Sequence, residues 1–107
     1  MQLSEYQEES RRTVPDDMND MLGMAILGCC GEAGELAEII KKARYQGHVL
    51  DIADVANELG DLLWYVARVA DAIYTDLDAV ADFNLMKLRQ RYPDGFEVAK
   101  SVERQGA

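Results

Sequence analysis

The stretch DIADVANELGDLLWYVARVADAI, residues 51–73, decides how the chain folds. Its apolar residues Ile52, Val55, Leu59, Leu62, Leu63, Val66, Val69 and Ile73 recur at spacings of three and four, the repeat of one helical face. Asp51 suits the N-cap, because its carboxylate can accept from backbone N–H groups that the first helical turn leaves unpaired. One long amphipathic helix with a single buried stripe is expected here.

The same pattern continues on both sides. Upstream, a first long helix is expected from about Met18 to Tyr45, with Lys41, Lys42 and Arg44 placed to favour its C-terminus and Gly47 just beyond it. Gly47-His48-Val49-Leu50 then forms a loop. Downstream, Thr75 is expected to cap a third long helix with Leu77, Val80, Ala81, Leu85 and Leu88 on one face, closed by Tyr92-Pro93-Asp94-Gly95. A short amphipathic piece, Ser4 to Arg12, precedes these helices through the connector Thr13-Val14-Pro15-Asp16, and the tail from Phe96 reads as polar and loosely held. Pro15 and Pro93 both fall at boundaries, and no strand pair interrupts the helical pattern. The expected fold is all-α: three long helices plus a short N-terminal helix, one domain over residues 1–107.

Such a bundle does not close on itself. The residues Met21, Leu22, Met24, Ala25, Ile26, Leu27, Cys29 and Cys30 are apolar on nearly every side of the first long helix, whereas packing on one neighbour needs an arc of little more than about 100°. A chain of 107 residues buries only about two-thirds of its unfolded surface. Completion by a homodimer or homotetramer is therefore expected.

Charge excludes several partner classes. Asp and Glu outnumber Lys and Arg by 20 to 11, a formal charge of −9, the reverse of a nucleic-acid-binding footprint. No apolar run reaches the roughly 18 residues that cross a bilayer, and the N-terminus lacks a signal-peptide pattern, so a cytoplasmic protein without membrane partners is expected. Cys29 and Cys30 are adjacent, where a disulfide would be strained, and read as small buried residues.

Within this acidic chain, two pairs stand out. Glu32 and Glu35 are three apart on the first long helix, Glu58 and Asp61 three apart on the second, so each pair projects from one helix face. Leu59, Leu62 and Leu63 turn the second pair towards the helix interface. Four converging carboxylates repel one another, and a divalent cation relieves the conflict. Hard Mg²⁺, with Mn²⁺ as the alternative ion, suits carboxylates, waters and phosphates as ligands. Solvated helix charge is the competing reading of either pair taken alone.

Other residues near the pairs fit a phosphate-bearing ligand. Gly28, Gly31 and Gly34 interrupt the first long helix at roughly 1 kcal/mol each relative to alanine, which close approach by a backbone or a ligand would explain; tight helix packing explains them equally well. Asn84, Lys87 and Arg91 form one stripe of donors on the third helix, able to hold phosphate oxygens or simply to face solvent. Tyr65 lies one turn beyond Asp61, within reach of a metal-bound phosphate, and Trp64 offers a stacking surface for a base or a core contact. His48, in a loop, carries no catalytic role.

Together, Glu32-Ala33-Gly34-Glu35 and Glu58-Leu59-Gly60-Asp61, with the segments GEAGELAEIIKK, NELGDLLWYVA and NLMKLRQRYPDGF, resemble the MazG-type nucleoside triphosphate pyrophosphohydrolases, an all-α superfamily that includes dimeric dUTPases and dCTP pyrophosphatases. The likeness runs from Tyr6 to Phe96. It implies Mg²⁺-dependent hydrolysis of an NTP or dNTP between the α- and β-phosphates, giving a nucleoside monophosphate and pyrophosphate. It further implies that Glu32, Glu35, Glu58 and Asp61 bind metal, that Lys87, and less directly Asn84 and Arg91, contact phosphates, and that the protein is a dimer or tetramer. A carboxylate not fully used as a ligand, Glu35 or Glu38, would orient the attacking water.

Two rival readings remain. A di-iron carboxylate bundle needs Glu-x-x-His on two helices, and the chain has one histidine. A non-catalytic, antitoxin-like helical interaction module would use the acids only for solubility.

Overall fold

The computed structural model describes residues 1–105, and these form five α-helices with no strand: α1 (Leu3–Ser10), α2 (Met21–Tyr45), α3 (Ile52–Ala72), α4 (Leu77–Arg91) and α5 (Val98–Gln105). A 3-10 turn, Arg11–Thr13, extends α1. The all-α reading holds, with three corrections.

Helix α2 begins at Met21, three residues later than expected, because Asp20 is its N-cap and accepts from Gly23 N at 3.0 Å. Helix α4 is capped by Asp76, which accepts from Ala79 N at 2.8 Å. Thr75, the expected cap, instead closes the end of α3. Its N–H donates to Ala70 O at 3.0 Å while Tyr74 N–H donates to Asp71 O, and Tyr74 takes a left-handed φ of 59°. That is a Schellman closure built on a tyrosine where glycine is the usual choice. The third correction concerns the tail: α5 occupies Val98–Gln105, with Val98 and Val102 one turn apart. Gly106 and Ala107 lie outside the described residues.

Two expectations stand as read. Asp51 accepts from Ala53 N at 2.9 Å as the cap of α3, and Gly47 adopts a φ of 74° beyond the end of α2.

Helices α2 and α3 form a long antiparallel pair. Ala25 on α2 is buried, whereas Ala67 and Ala70 on α3 are buried with Leu77 of α4, against which Tyr6 of α1 packs. Helix α1 with its 3-10 turn lies across the C-terminal half of α3, and α4 leaves after the Schellman turn.

The α3 stripe, expected to be buried, is only partly covered within the chain: Ile52, Leu59 and Ile73 are 71%, 56% and 55% exposed. One side of α3 faces α2, whereas Ala56, Leu59, Gly60, Leu62, Leu63 and Val66 line an open apolar hollow. Leu22, Ile26 and Leu27 on α2 are also exposed. The molecule is correspondingly extended, with a radius of gyration of 17.2 Å where a compact chain of this length has about 13 Å.

Candidate metal and nucleotide site

The register of the α2–α3 pair builds the site. Gly28 faces Tyr65 so closely that a Cβ there would lie 2.2 Å from the Tyr65 ring. One and two turns further along α2, Glu32 and Glu35 meet Asp61 and Glu58 on α3. The glycine thus has a specific use: the tyrosine occupies the space a side chain would need, and the acids follow in register behind it. Gly31 and Gly34 differ, since a Cβ at either would meet nothing within 4 Å.

Glu32, Glu58 and Asp61 each bring one carboxylate oxygen to within 4.8 Å of the others. Glu35 stands outside that trio but beside Glu58, whose negative charge, followed by hydrogen bonding to it, holds the Glu35 carboxyl above the ordinary carboxylate range. Glu58 is pushed the same way, first by its close approach to Glu32, which favours a shared proton, and then by burial. Glu32 Oε2 and Glu58 Oε2 are buried without a hydrogen-bond partner. Buried carboxylate oxygens without donors are costly, and a cation is what such a cluster accommodates. The trio of Glu32, Glu58 and Asp61 therefore fits a divalent ion by its own geometry. Glu38, one turn beyond Glu35, is instead ion-paired with Lys41 at 3.2 Å.

Beside the acids lies a hollow of about 410 Å³ lined by Thr13, Glu32, Asp61, Trp64 and Tyr65. Trp64 packs edge-on to Tyr65 with ring centroids 5.1 Å apart, and its indole N–H donates to Thr13 Oγ1 at 2.8 Å and Ser10 O at 3.1 Å.

The donor stripe of α4 does not join this hollow. Asn84 and Lys87 line a separate depression with Thr75, Ala79, Val80 and Phe83, and Arg91 lines another with Gln90, Lys100, Glu103 and Arg104.

The sequence profile of the MazG nucleotide pyrophosphohydrolase domain matches residues 24–96, which hold all four acids and the donor stripe. The chain belongs to that family. MazG-family enzymes are hydrolases that generally use divalent metals, in keeping with the acidic cluster. A relative, the Gene 37 protein of Mycobacterium phage L5, is 37% identical over 83 residues, covering 74% of this chain and 73% of that protein. No solved structure matches the chain. No helix among the described residues is long and apolar enough to cross a membrane.

Sequence reasoning missed the network that fixes the MazG-type hollow from behind. Arg68, fully buried, donates through Nη2 to Gln7 O at 2.7 Å and Ser10 Oγ at 3.1 Å, and pairs through Nε with Asp71 at 2.9 Å. Its guanidinium also lies 5.1 Å from the Trp64 ring centroid. Asp71 further binds Arg11 at 2.7 Å and Gln7 Nε2 at 2.8 Å. Gln7 completes the lock by donating to Thr75 O and accepting from Leu77 N. Burial alone would raise the Asp71 carboxyl, but Arg11, Gln7 and Arg68 outweigh it and hold the group below its ordinary value. The available signal was an Arg-x-x-Asp pair in the otherwise apolar C-terminal half of the second long helix.

Proposed function

We propose that the protein is an Mg²⁺-dependent nucleoside triphosphate pyrophosphohydrolase that cleaves NTPs or dNTPs to the monophosphate and pyrophosphate. The observation that carries this reading is the trio of Glu32, Glu58 and Asp61 with two buried carboxylate oxygens lacking donors. These three and Glu35 hold the ion, Mn²⁺ being the alternative. When bound, the ion neutralises phosphate charge and lowers the pKa of a coordinated water.

The chain's own side chains supply the rest. Glu35, at the edge of the trio, orients the attacking water and takes its proton, a role for which Glu38 is less suited because its charge is engaged by Lys41. Tyr65 reaches the phosphates from beside Asp61, and Trp64 forms the side wall on which the nucleoside rests.

Lys87, Asn84 and Arg91 complete phosphate binding from a second copy of the chain, since within one chain they line other depressions. Two quantities support the association. The accessible surface, 7991 Å², exceeds the roughly 6,000 Å² of a compact monomer of 12.0 kDa. The bare faces of α2 and α3 supply the apolar part of that excess. A homodimer or homotetramer acting on nucleotides in the cytoplasm is the resulting picture.

The test is pyrophosphate release from a panel of NTPs and dNTPs, with Mg²⁺ and with excess chelator. Release from at least one substrate, abolished by chelation, is expected. No release from any of them would leave a non-catalytic helical module.

A further inference from the structure

We propose that Thr13, at the end of the N-terminal segment Leu3–Thr13, is the nucleoside-specificity residue of the hollow, with that segment as its support and Arg68 as the positioning residue that holds it. The proposal rests on the nucleotide-hydrolysis reading above and goes beyond the residues that define the family, since the matched region begins at residue 24.

The segment is built to stay in place. Among its residues Gln7 is buried, and its side chain spans three partners: Asp71, Thr75 O and Leu77 N. Arg68 grips Gln7 O and Ser10 Oγ from inside the molecule, and Ser4 Oγ donates to Asp78 at the far end. These polar groups are fixed in partly buried positions, and Arg68 and Ser10 carry the network to the turn that ends at Thr13. Thr13 shares the hollow with Glu32 and Asp61.

The hydrogen-bond inventory at that turn sets what the wall can recognise. The Thr13 hydroxyl donates its hydrogen to Ser10 O at 3.1 Å and accepts from Trp64 Nε1 at 2.8 Å. A hydroxyl has one hydrogen and two lone pairs, so one lone pair of Thr13 Oγ1 remains. The indole N–H of Trp64 is already committed to Ser10 O and Thr13 Oγ1. Thr13 therefore offers the hollow an acceptor and no donor, while Trp64 offers only apolar ring. The matching ligand group is a hydrogen-bond donor on a nucleoside: a sugar hydroxyl, an exocyclic base amine, or the ring N–H of uracil, thymine or guanine.

Trp64 is the sole tryptophan, so its emission reports this wall directly. The full chain and its Thr13→Val and Thr13→Ser variants are titrated, in Mg²⁺, with non-hydrolysable α,β-imido nucleotides, and KM and kcat are measured on the matching substrates. The panel pairs ribo- with deoxyribonucleotides and amino-bearing bases with uracil and thymine. Thr13→Val should weaken binding and raise KM by about threefold to tenfold for ligands that carry the recognised donor, with kcat little changed and Thr13→Ser restoring affinity. Loss confined to ribonucleotides assigns the donor to the 2′-hydroxyl, loss confined to amino-bearing bases to the exocyclic amine, loss confined to uracil and thymine to the ring N–H, and equal loss for all to the 3′-hydroxyl. Arg68→Lys should shift Trp64 emission and raise KM more than it lowers kcat. An affinity unchanged within twofold for every nucleotide in Thr13→Val overturns the proposal. Analogue binding without any turnover would refute the hydrolysis reading while still deciding the role of Thr13.

Discussion

Replacing Leu59 with glutamate tests the subunit interface without touching an acid of the site. Leu59 is 56% exposed on the chain and lines the apolar hollow along α3. The chain carries about 2,000 Å² more accessible surface than a compact monomer of its mass. Two copies burying that excess would share an interface of about 4,000 Å², within the range of obligate homodimers. Burying a leucine contributes roughly 1.5–3 kcal/mol, and an unpaired carboxylate in its place adds a further desolvation cost. Two-fold symmetry counts the lesion twice, so a loss of about 3–6 kcal/mol from the leucines alone, or roughly 10²–10⁴-fold in the dissociation constant, is expected. In sedimentation velocity at micromolar concentration, the native chain should run at a multiple of 12.0 kDa and Leu59→Glu at 12.0 kDa with turnover lost. A folded, active native species at 12.0 kDa would refute the reasoning.

Four further outcomes are expected. Glu35→Gln and Asp61→Asn should each abolish Mg²⁺-dependent turnover yet keep or raise the metal-free melting temperature, because each removes charge from a cluster that repels itself; near-native turnover in either would remove the metal site. Lys87→Ala should lower kcat/KM about tenfold or more while leaving Mg²⁺ binding without nucleotide unchanged, as read by steady-state kinetics and calorimetry. Asp71→Asn should destabilise the fold by about 3 kcal/mol in denaturant titration, since it leaves the buried Arg68 without its counter-charge. Tyr74→Gly should raise the melting temperature, gaining about 1 kcal/mol, because Tyr74 is 97% exposed and its left-handed backbone costs a residue with a Cβ.

The carboxyl shifts give these stabilities opposite pH dependences. Asp71 is held below its ordinary 3.8, so its contribution is complete above that value and is lost as pH falls through its lower folded value. Glu35 and Glu58 are held above their ordinary 4.5, so their protonated forms favour the fold at acid pH. That advantage disappears as pH rises through the folded values. The melting temperature of the metal-free protein should therefore fall as pH rises above the ordinary carboxylate range, and saturating Mg²⁺ should reverse the decline.

Helix identities were legible because periodicity and capping are local. The spacing in residues 51–73 and the cap at Asp51 involve groups within one or two turns, and both stand in the structure. The displaced caps have equally local causes: Thr75 and Asp76 are adjacent, both suit an N-cap, and the Schellman closure engages Thr75 first. Burial was less legible. The α3 stripe is apolar enough for a core, but covering it requires a surface that the chain does not place there, and a sequence does not state which surface that is.

The site divides along the same line. Glu-x-x-Glu and Glu-x-x-Asp are each confined to one turn, and antiparallel pairing in register with Gly28 against Tyr65 brings them together. The support behind them is not local: Gln7 and Arg68 lie 61 residues apart, and Gln7 and Asp71 64 apart. Neither Gln7 nor Thr13 has a spacing that marks it. An arginine within an apolar half-helix is nevertheless informative, because burying its charge is unfavourable unless carboxylate and carbonyl partners arrive from elsewhere. Asp71, three residues on, supplies the first partner, and the remaining donors must find acceptors on another segment. That requirement ties the N-terminal segment to α3 and puts Thr13 at the edge of the acidic hollow.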